Sequence, residues 1–293
     1  MLLRHTINSS TLSRFAHLQM RKGADQDLDT QQPALVLHVG SHTDPGIRRK
    51  DRPNEDSIFV TQGVMPAASA SLKSFALLVV ADGMGGQGHG QEASQLALHS
   101  LLEYVADPLK SPQVQSEDIR TLLRAGILHA NRAVYERNQE QGTIMGTTMT
   151  VALVIDAIAY VAHVGDSRCY RYHLPTRLLQ ITQDHSVVAA LVTAGVIHPE
   201  DIYTHPRRNL IYRCVGEKPR VEVDCSTVPL VAGDMLLLCS DGLWEMVRDK
   251  QIETILTTPS PTPSETAQAL VQAALEGGGE DNVSVIVAQV SKA

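Results

Sequence analysis

Chemistry in this chain gathers at aspartates set beside glycines. The clearest is Asp82. It ends an apolar run, Phe75 to Ala81, and opens a segment with five glycines in eight residues, Gly83-Met84-Gly85-Gly86-Gln87-Gly88-His89-Gly90. The run reads as a short buried strand. From Glu92 onward, Ala93, Leu96, Ala97, Leu101 and Val105 share one face of a helix. A strand end holds a side chain rigidly, and glycine lets backbone or ligand come close. Three readings are open for this stretch taken alone. Gly83-x-Gly85-x-x-Gly88 fits a dinucleotide fingerprint between strand and helix. Asp82 could instead centre a metal site. The third reading is a glycine-rich connection with no chemistry. The dinucleotide fingerprint wants a second strand ending in an acid about 20 residues on, whereas here the helix runs out at Asp107-Pro108. No Gly-Lys-Ser/Thr is present, so no P-loop cradles a phosphate.

Four more carboxylates share the setting of Asp82, at strand ends or strand turns next to glycine or another acid. Asp56 closes Asn54-Glu55-Asp56 before the strand Ser57 to Val60. Asp166 sits in Gly165-Asp166-Ser167. Asp241 ends the apolar run Met235 to Cys239 and is followed by Gly242. Asp281 follows Gly277-Gly278-Gly279-Glu280 and precedes the strand Val283 to Val290. Singly, each has a bland reading: Asp166 is a good hairpin turn, and the acids near Arg48, Arg49, Lys50 and Arg52 could be surface pairs worth little. Five together do not look like chance. Converging carboxylates cannot all ionise in one small volume without compensating positive charge. Hard divalent cations supply it, and oxygen-only ligands select Mg²⁺ or Mn²⁺ over zinc. With guanidinium groups nearby to match phosphate, the natural chemistry is a two-metal hydrolase acting on phosphate.

The elements that must position these residues follow from the rest of the chain. The 293 residues permit one large domain or two small ones, and 43 % apolar residues suffice for a sizeable core. A net charge of −7 argues against nucleic acid or an anionic membrane as partner, and no apolar run is long enough to span a bilayer. Cys169, Cys214, Cys225 and Cys239 form no Cys-x-x-Cys pair and read as reduced core thiols of a cytoplasmic protein. Residues 1–34, acid-free until Asp25, read as a mobile N-terminal extension; a short surface helix through Ile7, Leu12, Phe15 and Leu18, or an organelle-targeting segment, are further readings. Strands are expected at 35–41, 148–155, 157–164, 178–182 and 221–228. Helices are expected at 118–140, around 252–256 and at 265–275. Residues 65–74 read as a loop and 142–147 as a turn. Residues 184–218 differ in texture, with His185, His198 and His205 among Arg207, Arg208 and Arg213, and a helix stopping at Gly195. They read as a flap beside the sheet core, their histidines as surface residues.

Taken together, Asn54-Glu55-Asp56, Asp82-Gly83-Met84-Gly85-Gly86, Gly146-Thr147-Thr148, Gly165-Asp166-Ser167-Arg168, Ser240-Asp241-Gly242-Leu243-Trp244 and Glu280-Asp281-Asn282 resemble, in order and spacing, the motifs of the metal-dependent protein phosphatases, the type-2C serine/threonine phosphatases in their bacterial form. The resemblance covers residues 35 to 290. It implies an α+β fold, a four-layer α-β-β-α sandwich of two antiparallel sheets flanked by helices, in a domain spanning residues 35–291 with its flap at about 184–218. It implies that Asp82 bridges two metals with help from the Gly83 carbonyl, that Asp56 and Asp281 serve one metal and Asp241 the other, and that Asp166 with Asp241 holds a third, weaker ion. Glu55 would act through water. The implied reaction is hydrolysis of phosphoserine and phosphothreonine by in-line attack of a hydroxide held between two Mg²⁺ or Mn²⁺ ions, so that Cys239 is no nucleophile.

Two departures stand out. The family's phosphate-binding arginine usually lies five residues before the aspartate of Asn-Glu-Asp. That position is Asp51 here, so the role is assigned to Arg52, with Arg48 and Arg49 as alternatives. Animal and plant members often carry histidine, a proposed leaving-group acid, where this chain has Met84. The proton donor is then a metal-bound water, His42 or a flap histidine. The resemblance further implies phosphoprotein substrates, a cognate serine/threonine kinase pathway, no nucleic-acid or membrane partner, and a monomer. The competing reading is a catalytically weak or inactive phosphatase-like binding module, which would be expected to have lost metal carboxylates; all five are present.

Overall fold

The apolar run before Asp82 is buried on both sides, and that makes it the centre of a layered fold. The computed structural model describes residues 35–66, 72–110, 116–259 and 262–292; the expected N-terminal extension, residues 1–34, lies outside them. In chain order the strands are β1 (Leu35–Asp44), β2 (Asp56–Pro66), β3 (Leu72–Gly85), β4 (Met145–Thr147), β5 (Met149–Ile155), β6 (Ile158–Val164), β7 (Arg168–His173), β8 (Arg177–Gln180), β9 (Asp224–Pro229), β10 (Met235–Cys239) and β11 (Val283–Lys292). The helices are α1 (His89–Ala106), α2 (Ser116–Gln141), α3 (Val187–Thr193), α4 (Asp241–Trp244), α5 (Asp249–Thr257) and α6 (Pro263–Glu276).

Two antiparallel sheets result. One has the order β1-β11-β10-β7-β8. The other has the order β2-β3-β5-β6-β9, with β4 paired to the far end of β3. Side chains alternate along a strand, so each buried strand feeds two cores. On β3, Ala76, Leu78 and Val80 meet the opposite sheet, where Leu236, Leu238, Ile286 and Ala288 face them. Phe75, Leu77 and Val79 instead meet the helix pair α1 and α2, through Ala97, Leu101, Leu123 and Ile127. The other sheet buries Leu237, Val285 and Val287 under α5 and α6, against Ile252, Leu256, Leu270 and Val271. The order helix, sheet, sheet, helix is the four-layer α-β-β-α sandwich expected. Each fully buried leucine or valine contributes about 1.5–3 kcal/mol, which is why the central strands are near-continuous apolar runs.

Several boundaries move, each for a long-range reason. β3 continues past Ala81 through Asp82 to Gly85, because Gly83, Met84 and Gly85 pair with Thr147, Gly146 and Met145. The expected turn at 142–147 is therefore half strand. The expected loop at 65–74 is the tip of a hairpin whose strands reach Pro66 and Leu72 in register. The strand expected at 221–228 runs from Asp224 to Pro229, the residues that pair with β6. α1 starts at His89, three residues before Glu92, with Gly88 at φ 84° as its N-cap. Because the sheets are antiparallel, the glycine segment lacks the parallel strand–helix–strand unit of a dinucleotide fold. Between β8 and β9 lie only α3 and a 3-10 turn, Pro199–Tyr203. α3 ends as its glycine predicts, with Gly195 at φ 69°: Gly195 N–H donates to the Val192 carbonyl and Val196 N–H to the Leu191 carbonyl.

Candidate metal centre

Strand geometry alone brings the first two carboxylates together. Asp56 opens β2 directly opposite Asp82 on β3, and directly opposed residues of an antiparallel pair project from one face. Asp82 falls on the same alternation as Ala76, Leu78 and Val80, so it extends the inter-sheet face at one end of the sandwich. Its backbone is pinned on both sides. The Asp82 N–H donates to the Thr148 hydroxyl at 2.9 Å, and its carbonyl accepts from the Thr148 N–H and the Thr147 hydroxyl, both at 2.8 Å. The Thr148 hydroxyl lies 2.6 Å from that of Ser167. Thus Gly-Thr-Thr and Gly-Asp-Ser brace the strand end between them.

The second sheet supplies the rest. β10 ends at Cys239. Ser240 follows, and its hydroxyl donates to Asp56 Oδ2 at 2.8 Å while accepting the Ser284 N–H at 3.0 Å. Asp241 is the first residue of α4. Asp281 precedes β11, and its neighbour Asn282 accepts the Glu55 N–H and donates to the Pro45 carbonyl, each at 2.8 Å. So Asn-Glu-Asp interlocks with Glu-Asp-Asn, 227 residues away. The glycines after Asp82 and Asp241 are where other segments cross. A Cβ on Gly83 would sit 2.0 Å from the Gly90 carbonyl oxygen, and one on Gly242 would sit 2.0 Å from that of Asn282. No other residue leaves room for those crossings.

The electrostatics are those of a site built for cations. Among the described residues, no arginine, lysine or histidine forms an ion pair with Asp56, Asp82, Asp166 or Asp241. Burial, then the charges of Asp56, Asp241, Asp281 and Asp166, hold the Asp82 carboxyl well above the usual range. Burial, then Asp166, Asp281 and Glu245, do the same to Asp241. Asp56 is pushed up to about 6, chiefly by burial, although the Ser284 and Ser240 hydrogen bonds oppose the shift. Asp166 rises to about 7, through burial and then the charges of Asp184 and Glu245. Burial also raises Asp281 against the opposing pull of Arg49. Three buried polar side-chain atoms lack a hydrogen-bond partner among the described residues: Asp56 Oδ1, Asp241 Oδ1 and His163 Nε2. The histidine is explained by burial, which lowers its imidazole to about 3 and keeps it neutral. The two carboxylate oxygens are acceptors without donors, which is costly unless a cation meets them.

The structure brings Asp56, Asp82, Asp166, Asp241 and Asp281 into one electrostatic cluster. The Gly83 carbonyl lies against the first turn of α1: a Cβ on Gly90 would meet it at 2.6 Å. Arg52 is not drawn in. It is exposed, and its backbone closes a turn onto the Arg49 carbonyl. Arg49 is the guanidinium that reaches the cluster, 2.9 Å from Asp281 and 3.1 Å from Glu55, while Arg48 pairs with Glu280 at 3.3 Å. Of the histidines, His42 and His198 are exposed. His185 is not a surface residue: it is buried, and its Nδ1 accepts the Gly165 N–H.

Sequence reasoning missed Glu245, whose charge presses on both Asp166 and Asp241. Its spacing of four from Asp241 was the available signal, since residues four apart share a helix face. Glu245 is paired in turn with Arg208, which also holds Glu280 at 3.1 Å.

The donor set fits hard divalent ions. It is all oxygen, with partnerless lone pairs aimed into a buried cluster. Among the described residues no three or more histidine, cysteine, aspartate or glutamate side chains are gathered closely enough to hold a metal ion as they stand. The all-oxygen chemistry of the set selects Mg²⁺ or Mn²⁺, which keep several waters, over zinc.

Comparison with known proteins gives the same family on independent grounds. The family model described as Protein phosphatase 2C matches residues 45–276. The serine/threonine phosphatase stp of Listeria monocytogenes is 35 % identical over 257 residues, covering 86 % of this chain and 96 % of its own. The crystal structure of the serine/threonine phosphatase PstP/Ppp of Mycobacterium tuberculosis superposes with a TM-score of 0.73 at 35 % identity, over 87 % of this chain and 99 % of that one. A further structure, of the PstP catalytic domain, is a complex with two manganese ions; it matches with a TM-score of 0.72 at 35 % identity, over 88 % of this chain and 100 % of that one.

Proposed function

The chain belongs to the protein phosphatase 2C family, and from that premise we infer how its residues divide the work of a metal-dependent serine/threonine protein phosphatase. The observation that carries the reading is the group Asp56, Asp82, Asp166 and Asp241, carboxylates that no cationic side chain pairs among the described residues, two of them with orphaned oxygens. Asp82, with the Gly83 carbonyl, would help to hold both of two cations; Asp56 and Asp281 would hold one of them and Asp241 the other. Asp166, beside Asp241, is assigned to a third, weaker ion. Manganese, present in the PstP complex, suits this set, and magnesium suits it equally by its preference for oxygen. When bound, such ions lower the pKa of water and supply positive charge to phosphoryl oxygens.

The chain's own groups do the rest. Arg49 is assigned the phosphate in place of Arg52, because its guanidinium is the one that pairs with acids of the site, Asp281 and Glu55, and a guanidinium matches phosphoryl oxygens. Ser240 holds Asp56 in one rotamer by its hydrogen bond. Thr147 and Thr148 hold Asp82. Residues 184–218 act as the flap over this end of the sandwich, tied down through Arg208 to Glu245 and Glu280; residues 35–291 form the phosphatase domain that carries it.

Substrates are phosphorylated proteins. The kinase that makes them belongs to the same signalling pathway, and the enzyme works as a monomer in the cytoplasm. The free thiols favour that reducing compartment, and no described helix is long and apolar enough to cross a membrane. The test is hydrolysis of p-nitrophenyl phosphate and a phosphothreonine peptide with Mn²⁺, with EDTA, and by the Asp241→Asn variant. Metal-dependent turnover that collapses in the variant is expected. Turnover indifferent to EDTA would remove the reading.

A further inference from the structure

A second group of buried charges lies beside the metal centre, and it is fully paired. Arg168 opens β7, two residues after Asp166, and its side chain is 3 % exposed. Its guanidinium grips Asp184 with one edge, Nε at 3.0 Å from Oδ1 and Nη2 at 2.7 Å from Oδ2. Nη1 donates to the Tyr170 hydroxyl at 2.8 Å, and that hydroxyl donates on to Asp249 at 3.1 Å. The face of the guanidinium lies 3.8 Å from the centre of the Trp244 ring. Trp244 is the last residue of α4, whose first residue is Asp241. The Trp244 indole N–H donates to the backbone carbonyl of Asp166 at 3.0 Å, in a buried bond.

One cation therefore touches three segments. The loop of Asp166 carries it, the helix of Asp241 is stacked under it, and Asp184, where the chain leaves β8 for residues 184–218, is clamped by it. A hydrophobic residue of similar size would pack this space at least as stably, because a desolvated ion pair gains little over apolar packing. What the charged arrangement adds is geometry: a planar, bidentate, stacked fork admits one orientation.

We propose that Arg168 and Trp244 are positioning residues, whose stacked guanidinium and indole set the separation of Asp166 from Asp241 and tie it to the root of the flap at Asp184. The proposal rests on the metal-dependent reading above and concerns the weaker ion assigned to Asp166 and Asp241. The two core ions share Asp241 with the weaker one but rest also on Asp56, Asp82 and Asp281, which are braced separately by Ser240, Thr148 and Asn282. Losing the clasp should therefore weaken the third ion more than the core pair, because the third has only Asp166 and Asp241 assigned to it.

Trp244 is the single tryptophan of the chain, so its emission reports the clasp directly. The experiment compares wild type, Arg168→Lys and Trp244→Phe. Lysine keeps the charge but loses the fork and the stack. Mn²⁺ binding is followed by calorimetry, and Mg²⁺ is titrated against tryptophan emission in the tryptophan-bearing proteins. In Arg168→Lys the weaker site should lose about tenfold or more in affinity, the scale on which partners that orient metal ligands act, while the tight sites, which share only Asp241 with it, lose clearly less. The emission change on Mg²⁺ binding should shift to correspondingly higher concentration. kcat at low metal should fall and recover at saturating metal, with KM for p-nitrophenyl phosphate unchanged. Should Arg168→Lys fail to fold, Trp244→Phe carries the same calorimetric expectation. Weaker-site affinity equal to wild type in a folded variant would overturn the clasp alone. A wild-type protein that binds no Mn²⁺ would overturn the metal reading and the clasp with it.

Discussion

Two kinds of buried aspartate sit in this molecule, and they differ in what surrounds them. Asp234 is fully buried between β9 and β10, yet it is satisfied: Arg171 donates to it at 2.7 Å and 3.0 Å, His173 meets its other oxygen, and the Val231 N–H donates at 2.9 Å. Asp184 is likewise held by Arg168 and by Gln180 at 2.8 Å. At the other extreme, Asp82 and Asp241 are half-buried and face other carboxylates. Evolution of a stable fold alone would pair or remove such groups, since a desolvated charge without a partner costs several kcal/mol. The lesson is that burial does not mark a site. Burial without an internal counter-charge does, because the missing charge must come from outside the chain.

The contrast can be broken most forcefully at the centre. Asp241→Asn is expected to lower phosphatase turnover by about 10³-fold, roughly 4 kcal/mol of transition-state stabilisation. The same change should leave the EDTA-treated protein at least as stable as wild type, because it removes repulsion. A large loss of stability in EDTA, read by urea unfolding, would put Asp241 in the structural class with Asp234. The converse change is Asp234→Ala. It should cost about 3 kcal/mol of stability, the scale for stripping one partner from a buried pair, while calorimetry shows metal affinity unchanged.

The mouth of the site offers a smaller effect. Arg49→Ala should lower kcat/KM by about 10- to 100-fold, equivalent to one or two charged hydrogen bonds of roughly 1.5–3 kcal/mol in all, whereas Arg52→Ala should leave it near wild type. Equal losses in the two variants would return the phosphate to Arg52 as much as to Arg49.

The smallest effect is on pH dependence. In the metal-free protein Asp56 and Asp166 have folded pKa values raised to about 6 and about 7. Groups raised in this way bind protons more tightly when folded. Their contribution is present in full below the ordinary carboxylate value and is lost as pH rises through about 6 to 7. Metal-free protein should therefore melt a few degrees lower at pH 8 than at pH 5, since about 1 kcal/mol moves Tm by about 2–4 °C in a protein of this size. Mn²⁺ added at pH 8 should remove that slope. A metal-free melting temperature that climbs over the same range would contradict the description of the cluster as self-repelling.

Much of this was legible one segment at a time. The apolar runs ending in Asp-Gly announce Asp82 and Asp241, and a helix at residues 118–140 is visible in the spacing of Ile119, Leu123, Ile127, Ala130 and Val134, all buried. The order of the short motifs carried the family and, through it, the sandwich. Other features were hidden. β3 extends into the glycine segment only because β4 pairs with it. Glu245 joins the acids only once α4 sets it near Asp166.

What the sequence by itself determined is therefore the inventory: five carboxylates at strand ends or strand turns, the glycines beside them, and the apolar periods that mark individual strands and helices. Those are local properties, because a strand or helix period and a residue's chemistry are set by near neighbours. Which arginine reaches the acids was decided by tertiary structure alone. Arg48, Arg49 and Arg52 stand within five residues, and their chemistry is identical. The loop that carries them takes its shape from contacts more than 200 residues away in sequence, the Arg48 N–H on the Gly279 carbonyl and Asn282 on the Pro45 carbonyl. Those contacts turn Arg49 inward and leave Arg52 in solvent. The clasp of Arg168, Trp244 and Asp184 has the same origin, since a buried charge finds its partner only where three distant segments are packed together.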